Sequence, residues 1–143
     1  MIVLDANLLL YAIDSTALRH KESRVWLEKV LSGSEIVGLP WQTIYAFLRI
    51  STDARISDDR LPMRSAISIV QQWLDRPQVR TLAPAENHWI LLQTMLTEGQ
   101  AKGPLTTDAQ LAAITIEHGG ILHTTDRDFA RFPGLRWTNP LEH

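Results

Sequence analysis

Acidic residues occupy positions in this chain where apolar segments end or where helical patterns begin. Asp5 directly follows the apolar run IVL, and Asp126 and Asp128 lie in the segment TTDRDF after another apolar run. Asp108 lies in LTTDAQ, at the start of a helical pattern. Carboxylates that converge raise one another's pKa or require a cation. Because every candidate ligand is an oxygen and the chain has no cysteine, the pattern predicts a site for Mg²⁺ or Mn²⁺.

The elements that must position these acids alternate between short β-rich segments and longer segments of helical periodicity. The predicted strands are 2–5, 35–40, 79–83, 120–125 and 135–139, and the predicted helices are 16–31, 41–50, 62–75, 84–96 and 105–120. This alternation is typical of an α/β fold in which helices cover a parallel sheet. Functional residues in such sheets lie beyond the carboxyl ends of the strands, so Asp5 and Asp126 are expected at one edge.

Length and composition narrow the possible classes of protein. The 143 residues, 45% of them hydrophobic, predict a single domain over 1–141, and residues 142–143 resemble the start of a purification-tag linker. The sequence has no cysteine, no signal peptide and no apolar stretch long enough for a membrane, which predicts a cytoplasmic protein without a membrane partner. A net charge of −2 gives no global attraction for a polyanion, so any nucleic acid would have to meet a local patch or a metal ion.

Each polar candidate also has a structural interpretation. Asp108 fits a T-x-x-Q capping box that runs from Thr107 to Gln110. The acids of TTDRDF fit a turn that is followed by a short helix. Asn7 fits either the N-cap of a helix over NLLLYAI or a residue that orients a metal ligand. Asp5 is harder to explain in this way, since a charge after a buried strand is costly unless it is paired.

Basic and aromatic residues give weaker signals for nucleic-acid binding. A charge run is usually a solvated face, but some basic residues could contact phosphate, namely Arg19, Lys21, Arg24, Arg49 and Arg127. Four tryptophans fall on apolar faces, and we predict that they pack in the core and do not stack on bases: Trp26, Trp41, Trp73 and Trp89.

Four segments together resemble the PIN-domain ribonucleases of the VapC toxin family in order and spacing, over nearly the whole chain. They are MIVLDANLLLYA, GLPWQTIYAFLRIST, LTTDAQLAA and TTDRDFARFPGLRWTNP. The resemblance implies a three-layer α/β/α sandwich with a central, mostly parallel sheet and an endoribonuclease that depends on Mg²⁺ or Mn²⁺. It also implies a VapB-type antitoxin and a homodimer. By position, Asp5, Asp108 and Asp126 match the family's acidic metal ligands, Asp128 is an auxiliary acid, and Asn7 completes the D-x-N start.

One departure from the family pattern affects the metal site. The family usually carries a glutamate on the helix after the second strand, in a pattern like E-x-x-R, and Ala46 occupies the corresponding position. No carboxylate occurs from 41 to 50, which leaves the number of metal ions open. Two alternatives also stay open, and the missing glutamate motivates the second of them. One is a HAD-like phosphohydrolase, although its D-x-D-x-T motif is incomplete after Asp5, and the other is a catalytically weakened PIN-like binding module.

Overall fold

A five-stranded parallel sheet forms the centre of the protein. A computed structural model describes residues 1–56 and 60–142. Within them the strands run side by side in the order β3-β2-β1-β4-β5. Every strand lies inside a segment predicted from the sequence and is shorter than that segment: β1 Ile2–Leu4, β2 Val37–Pro40, β3 Val79–Leu82, β4 Ile121–His123 and β5 Trp137–Thr138.

Helices cover both faces of this sheet. Their bounds are α1 Ala6–Ile13, α2 His20–Ser32, α3 Trp41–Ser51, α4 Met63–Leu74, α5 His88–Glu98 and α6 Leu105–Glu117, followed by a short 3₁₀ helix, Arg127–Arg131. One apolar cluster joins α1, α2, α3 and α4 to the sheet, and another joins α5 and α6. Because side chains alternate along a strand, Leu4 of β1 packs in the first cluster and Val3 in the second. The α/β/α sandwich is confirmed.

The turn between α6 and β4 brings the end of β4 beside the end of β1. Gly119 adopts a φ of +69°, which ends the helix at a conformation that glycine tolerates best. A Cβ on Gly120 would lie 2.5 Å from Cγ2 of Val3, so only glycine allows the chain to pass this close. In the resulting register Ile2 pairs with Ile121 and Leu4 with His123. The residues that follow these two strands therefore emerge at one edge of the sheet.

Several expectations about helix ends need correction. The cap of α1 is Asp5 and not Asn7, which lies inside the helix. The helix predicted from residue 16 begins only at His20, after an irregular turn. The capping box at Thr107 does not form, because α6 already begins at Leu105 and Pro104 occupies the cap position.

The tryptophans divide between the core and the surface. Trp73 is buried, and Trp26 is half-buried with its ring stacked on His123 at a centroid distance of 5.9 Å. Trp41 and Trp89 are 40% and 65% exposed, so the prediction that they pack in the core is wrong. Both lie at or next to the first residue of a helix, on its solvent face. At a helix start no earlier turn of the helix shows which side is apolar, so the spacing of apolar residues does not define the buried face there.

No helix among residues 1–56 and 60–142 is both long and apolar enough to cross a membrane. Of the two residues interpreted as a tag linker, Glu142 accepts a hydrogen bond from Arg127 at 2.9 Å, and His143 lies outside the described residues.

Candidate active site

Asp5 lies between the end of β1 and the start of α1, and both of its carboxylate oxygens accept hydrogen bonds. Oδ1 accepts from the backbone N–H of Ala6 at 2.8 Å, which makes Asp5 the N-cap of α1. Oδ2 accepts from the hydroxyl of Thr124 at 2.6 Å. Burial raises the pKa of Asp5 in spite of these two bonds, and the negative charge of Asp126 raises it further. The carboxylate is thus held in place but is short of positive charge.

Thr124 joins the two strand ends through one buried hydroxyl. Its Oγ1 donates to Asp5 and accepts from the backbone N–H of Asp126 at 3.0 Å. The backbone N–H of Asp5 also donates to the carbonyl of His123 at 3.2 Å. Sequence reasoning did not select Thr124. The available signal is its place directly after β4 and two residues before Asp126, where a hydroxyl can bond the backbone two residues on.

Asp126 combines a structural and an electrostatic role. Its Oδ1 accepts from the backbone N–H of Asp128 at 2.8 Å and caps the 3₁₀ helix Arg127–Arg131. The interpretation of TTDRDF as a turn and a short helix is therefore confirmed. The charge of Asp126 also raises the pKa of both Asp5 and Asp108, so the turn brings this acid within electrostatic range of the other two.

Asp108 is the most strongly perturbed of the acids. It is the fourth residue of α6 and is half-buried. Burial is the largest cause that raises its pKa to about 6, followed by the charges of Asp126, Asp5 and Asp128. The positive charge of Arg131 opposes this shift. The four acids selected from the sequence therefore share one electrostatic environment at the carboxyl edge of the sheet.

Helix α3 approaches the same edge without a carboxylate. Its Thr43 is buried, and the hydroxyl donates to the carbonyl of Leu4 at 2.9 Å. Its Gln42 donates from Nε2 to the carbonyl of Thr107 at 3.2 Å. Ala46 is half-buried one turn further along the helix. Gln42 was missed in the sequence because an amide carries no charge and its partner is a backbone atom 65 positions away.

Comparison with known proteins shows which family has this arrangement. The PIN domain family model matches residues 2–135. The chain belongs to the PIN-domain family. It is 39% identical over 141 residues to Ribonuclease VapC33 of Mycobacterium tuberculosis, an alignment that covers 99% of each chain.

Solved PIN-like structures share the fold. FitAB bound to an IR36 DNA fragment superposes with a TM-score of 0.73 at 17% identity, covering 100% of this chain and 97% of the other. VapBC2 from Rickettsia felis, bound to a promoter DNA fragment, gives 0.69 at 18% identity, covering 97% and 98%. At these identities the likeness concerns the fold alone.

The donor atoms of this PIN domain fit a divalent cation by their chemistry. They are carboxylate oxygens, and a bound cation would relieve the repulsion between their negative charges. In the described part of the chain, however, no three acidic or histidine side chains are already grouped as ligands around one point. Asp126 uses Oδ1 as a helix cap, which leaves its Oδ2 for a metal ion. Both oxygens of Asp5 already accept a hydrogen bond, so Asp5 would bind an ion through a second lone pair of one of them.

The basic residues proposed for RNA do not converge in the same way. Arg19, which directly precedes α2, pairs with Glu22, Arg24 pairs with Glu28 on α2, and Arg127 pairs with Glu142. Lys21 and Arg49 are exposed. Close to the acids of the PIN domain, Arg131 supplies positive charge, and its Nη1 donates to the carbonyl of Gly99 at 3.1 Å.

Proposed function

We propose that this chain is the toxin of a toxin–antitoxin pair, an endoribonuclease that hydrolyses RNA phosphodiester bonds with Mg²⁺ or Mn²⁺. Its likeness to Ribonuclease VapC33 along the whole chain supports the ribonuclease assignment. The observation that carries the proposal is the convergence of Asp5, Asp108, Asp126 and Asp128 at the carboxyl edge of the sheet, where burial and the neighbouring negative charges raise the pKa of Asp5 and of Asp108. Such a site favours a cation and, through it, a phosphate.

In this proposal Asp5, Asp108 and Asp126 hold the ion, and Asp128 and Asn7 assist from its surroundings. A bound divalent ion would lower the pKa of a water molecule and neutralise charge on the scissile phosphate. The protein's own part is to fix the ligands. Thr124 and the first turn of α1 hold Asp5, and the 3₁₀ helix holds Asp126. Burial and the charges of Asp126, Asp5 and Asp128 raise the pKa of Asp108, so a bound ion would relieve repulsion on this carboxylate.

The two alternative functions differ in how well they agree with the site and with the family match. A HAD-like phosphohydrolase would use Asp5 as a covalent nucleophile. The PIN match over 2–135 and the incomplete D-x-D-x-T motif after Asp5 favour the nuclease instead. A weakened binding module is favoured by one observation, the absence of a carboxylate on α3, and the cleavage assay decides between it and the enzyme.

The test is a cleavage assay on a mixed RNA pool with and without Mg²⁺. The parent should cut RNA only when Mg²⁺ is present, and Asp126→Asn should lower the rate about 100-fold or more because it removes a charged ligand. Asp75→Asn is a matched control, since Asp75 caps the far end of α4 and should leave the rate unchanged. RNA binding by the parent without Mg²⁺-dependent cleavage would show a binding module instead.

We further propose a VapB-type antitoxin and a homodimer in the cytoplasm. The superposed structure from Rickettsia felis is a VapBC complex. A basic side chain of an antitoxin is the natural complement to Asp5, Asp108 and Asp126. Exposed apolar residues offer a surface for a second copy: Trp41, Tyr45, Trp89 and Ile90. Inhibition by an antitoxin should come with slower hydrogen exchange around Asp5, and unchanged exchange there would contradict this arrangement.

A further inference from the structure

Gln42 carries a buried oxygen that no described residue satisfies. Its Oε1 has almost no solvent exposure and no hydrogen-bond partner within the described part of the protein. A buried amide oxygen without a donor costs free energy, so such atoms usually serve a ligand or water. The other end of the same amide is engaged, because Nε2 donates to the carbonyl of Thr107.

The contact with Thr107 fixes which way the amide points. Turning the amide over would place Oε1 against the Thr107 carbonyl, and two acceptors would then face each other without a proton between them. The side chain is therefore held with its oxygen turned away from Thr107. Among the described residues this acceptor has no donor, which leaves it available to a ligand or a water molecule.

The hydrogen bonds of Gln42 and of its neighbour Thr43 lead to the backbone beside two of the acids. Thr107 directly precedes Asp108, and the neighbouring Thr43 bonds the carbonyl of Leu4, which directly precedes Asp5. Gln42 is thus bonded to the backbone beside Asp108, and the next residue along α3 is bonded to the backbone beside Asp5. Mg²⁺ in proteins keeps several of its waters, and a water on a divalent cation is a strong hydrogen-bond donor.

We propose that Gln42 is a positioning residue whose Oε1 accepts a hydrogen bond from a water molecule on the ion held by Asp5, Asp108 and Asp126. This rests on the proposed function. Gln42 supplies the polar contribution of α3, a helix without carboxylates, and it does so without adding negative charge to acids that already repel one another. Groups that orient a metal's outer shell typically change metal affinity 10–100-fold.

Calorimetric titration with Mg²⁺ alone, without RNA, tests this role. Gln42→Met keeps the length of the side chain but removes its oxygen, and it should weaken Mg²⁺ binding about tenfold. Its melting temperature without metal should stay the same or rise, since an unsatisfied acceptor is lost. Gln42→Glu loses the N–H that donates to Thr107 but keeps Oε1 and adds a negative charge that attracts a cation, so it should bind Mg²⁺ at least as tightly as the parent.

Gln78→Met is the matched control. Gln78 is also half-buried, and its Nε2 also donates to a carbonyl, that of Leu31 at 2.6 Å, but it lies just before β3 at the opposite edge of the sheet. This variant should bind Mg²⁺ like the parent. Parental Mg²⁺ affinity in Gln42→Met would overturn the proposal, as would a lower melting temperature with unchanged affinity. Weak binding in Gln42→Glu as well would assign the effect to the Thr107 contact and overturn it too.

Asp5→Asn in the same titration separates this proposal from the function on which it rests. If Asp5→Asn loses Mg²⁺ binding and Gln42→Met does not, the ion site stands and only the role of Gln42 fails. If Asp5→Asn binds Mg²⁺ like the parent, the proposed ion site itself fails.

Discussion

At the level of single residues, Asp5 has two roles, as the cap of α1 and as a proposed ligand of the ion, and different substitutions can separate them. Asparagine keeps an oxygen that can cap α1, whereas alanine loses it. Asp5→Asn and Asp5→Ala should therefore both lower Mg²⁺-dependent RNA cleavage about 100-fold or more, because both remove a charged ligand. Only Asp5→Ala should also lose the cap, which typically stabilises a protein by about 1 kcal/mol.

Urea denaturation without metal measures the difference. We expect Asp5→Asn to be as stable as the parent or more stable, since it removes a carboxylate whose pKa burial raises. Asp5→Ala should be less stable than Asp5→Asn by about 1 kcal/mol. Equal destabilisation in both variants would mean that the charge of Asp5 is structural, and that the ion site is wrongly placed.

Asp108 should make the stability of the metal-free protein depend on pH. Its folded-state pKa is raised from 3.8 to about 6, so between these values the folded protein binds the proton more tightly than the unfolded chain does. The stabilising contribution of protonated Asp108 is fully present below pH 3.8 and is lost as the pH rises through about 6. Asp108→Asn should therefore gain stability relative to the parent across this window.

Thermal melts at a series of pH values with a chelator present check this expectation. Saturating Mg²⁺ should reverse the loss of stability that the parent shows as the pH rises, because a bound ion favours the charged carboxylate. A constant stability difference between Asp108→Asn and the parent from below pH 3.8 to above 6 would contradict the raised pKa.

Sequence reasoning identified the acids but not the residues that hold them. Asp5, Asp108 and Asp126 are conspicuous because each charge stands beside an apolar segment. Thr124 and Gln42 act through hydrogen bonds to residues 119 and 65 positions away, and no local pattern encodes such partners. Residue type thus predicts which side chains could do chemistry, whereas their supports depend on the fold.

At the element scale, strand position was predictable and surface helix faces were not. The five strands are buried apolar segments between turns, which is a strong local signal. Trp41 and Trp89 look like core residues in the sequence but are exposed, because burial at a helix start depends on which neighbour covers it. The start of α6 was missed for a related reason, since Pro104 and not Thr107 occupies the cap.

Ala46 tests whether α3 can regain a carboxylate ligand. Ala46 is half-buried and lies one turn beyond Gln42, on the face of α3 from which Gln42 contacts Thr107. A longer side chain at position 46 would extend from this same face. Ala46→Glu should bind Mg²⁺ more tightly than the parent. Without metal the new acid adds repulsion and desolvation, so the melting temperature should fall and should then depend more steeply on Mg²⁺ concentration.

Ala46→Gln is the control for this helix position. It adds nearly the same volume without the charge, and it should lower the metal-free melting temperature less and leave Mg²⁺ affinity close to that of the parent. Calorimetry that shows equal or weaker Mg²⁺ binding in Ala46→Glu would mean that this side chain faces the core, and that the aspartates bind the ion without help from α3.

At the scale of the whole molecule, the parallel sheet explains why residues from distant parts of the chain converge. Every strand points the same way, and β1 lies between β2 and β4. The segments after these three strands therefore begin at one edge, which brings Asp5, Gln42 and Asp126 toward one region. The alternation of strands and helices was enough to predict this edge. The side-chain contacts that hold the residues at this edge in place depend on the packing of the complete fold.

Diffraction from crystals soaked in Mn²⁺ tests the central claim most directly, because anomalous scattering locates the ion without reference to activity. We expect an anomalous peak between Asp5, Asp108 and Asp126, with carboxylate oxygens at about 2.0–2.3 Å from the ion. Asp126→Asn crystals treated identically should lose or weaken this peak. The account is contradicted if Mn²⁺ binds elsewhere on the protein, or if these three carboxylates remain without an ion at saturating Mn²⁺.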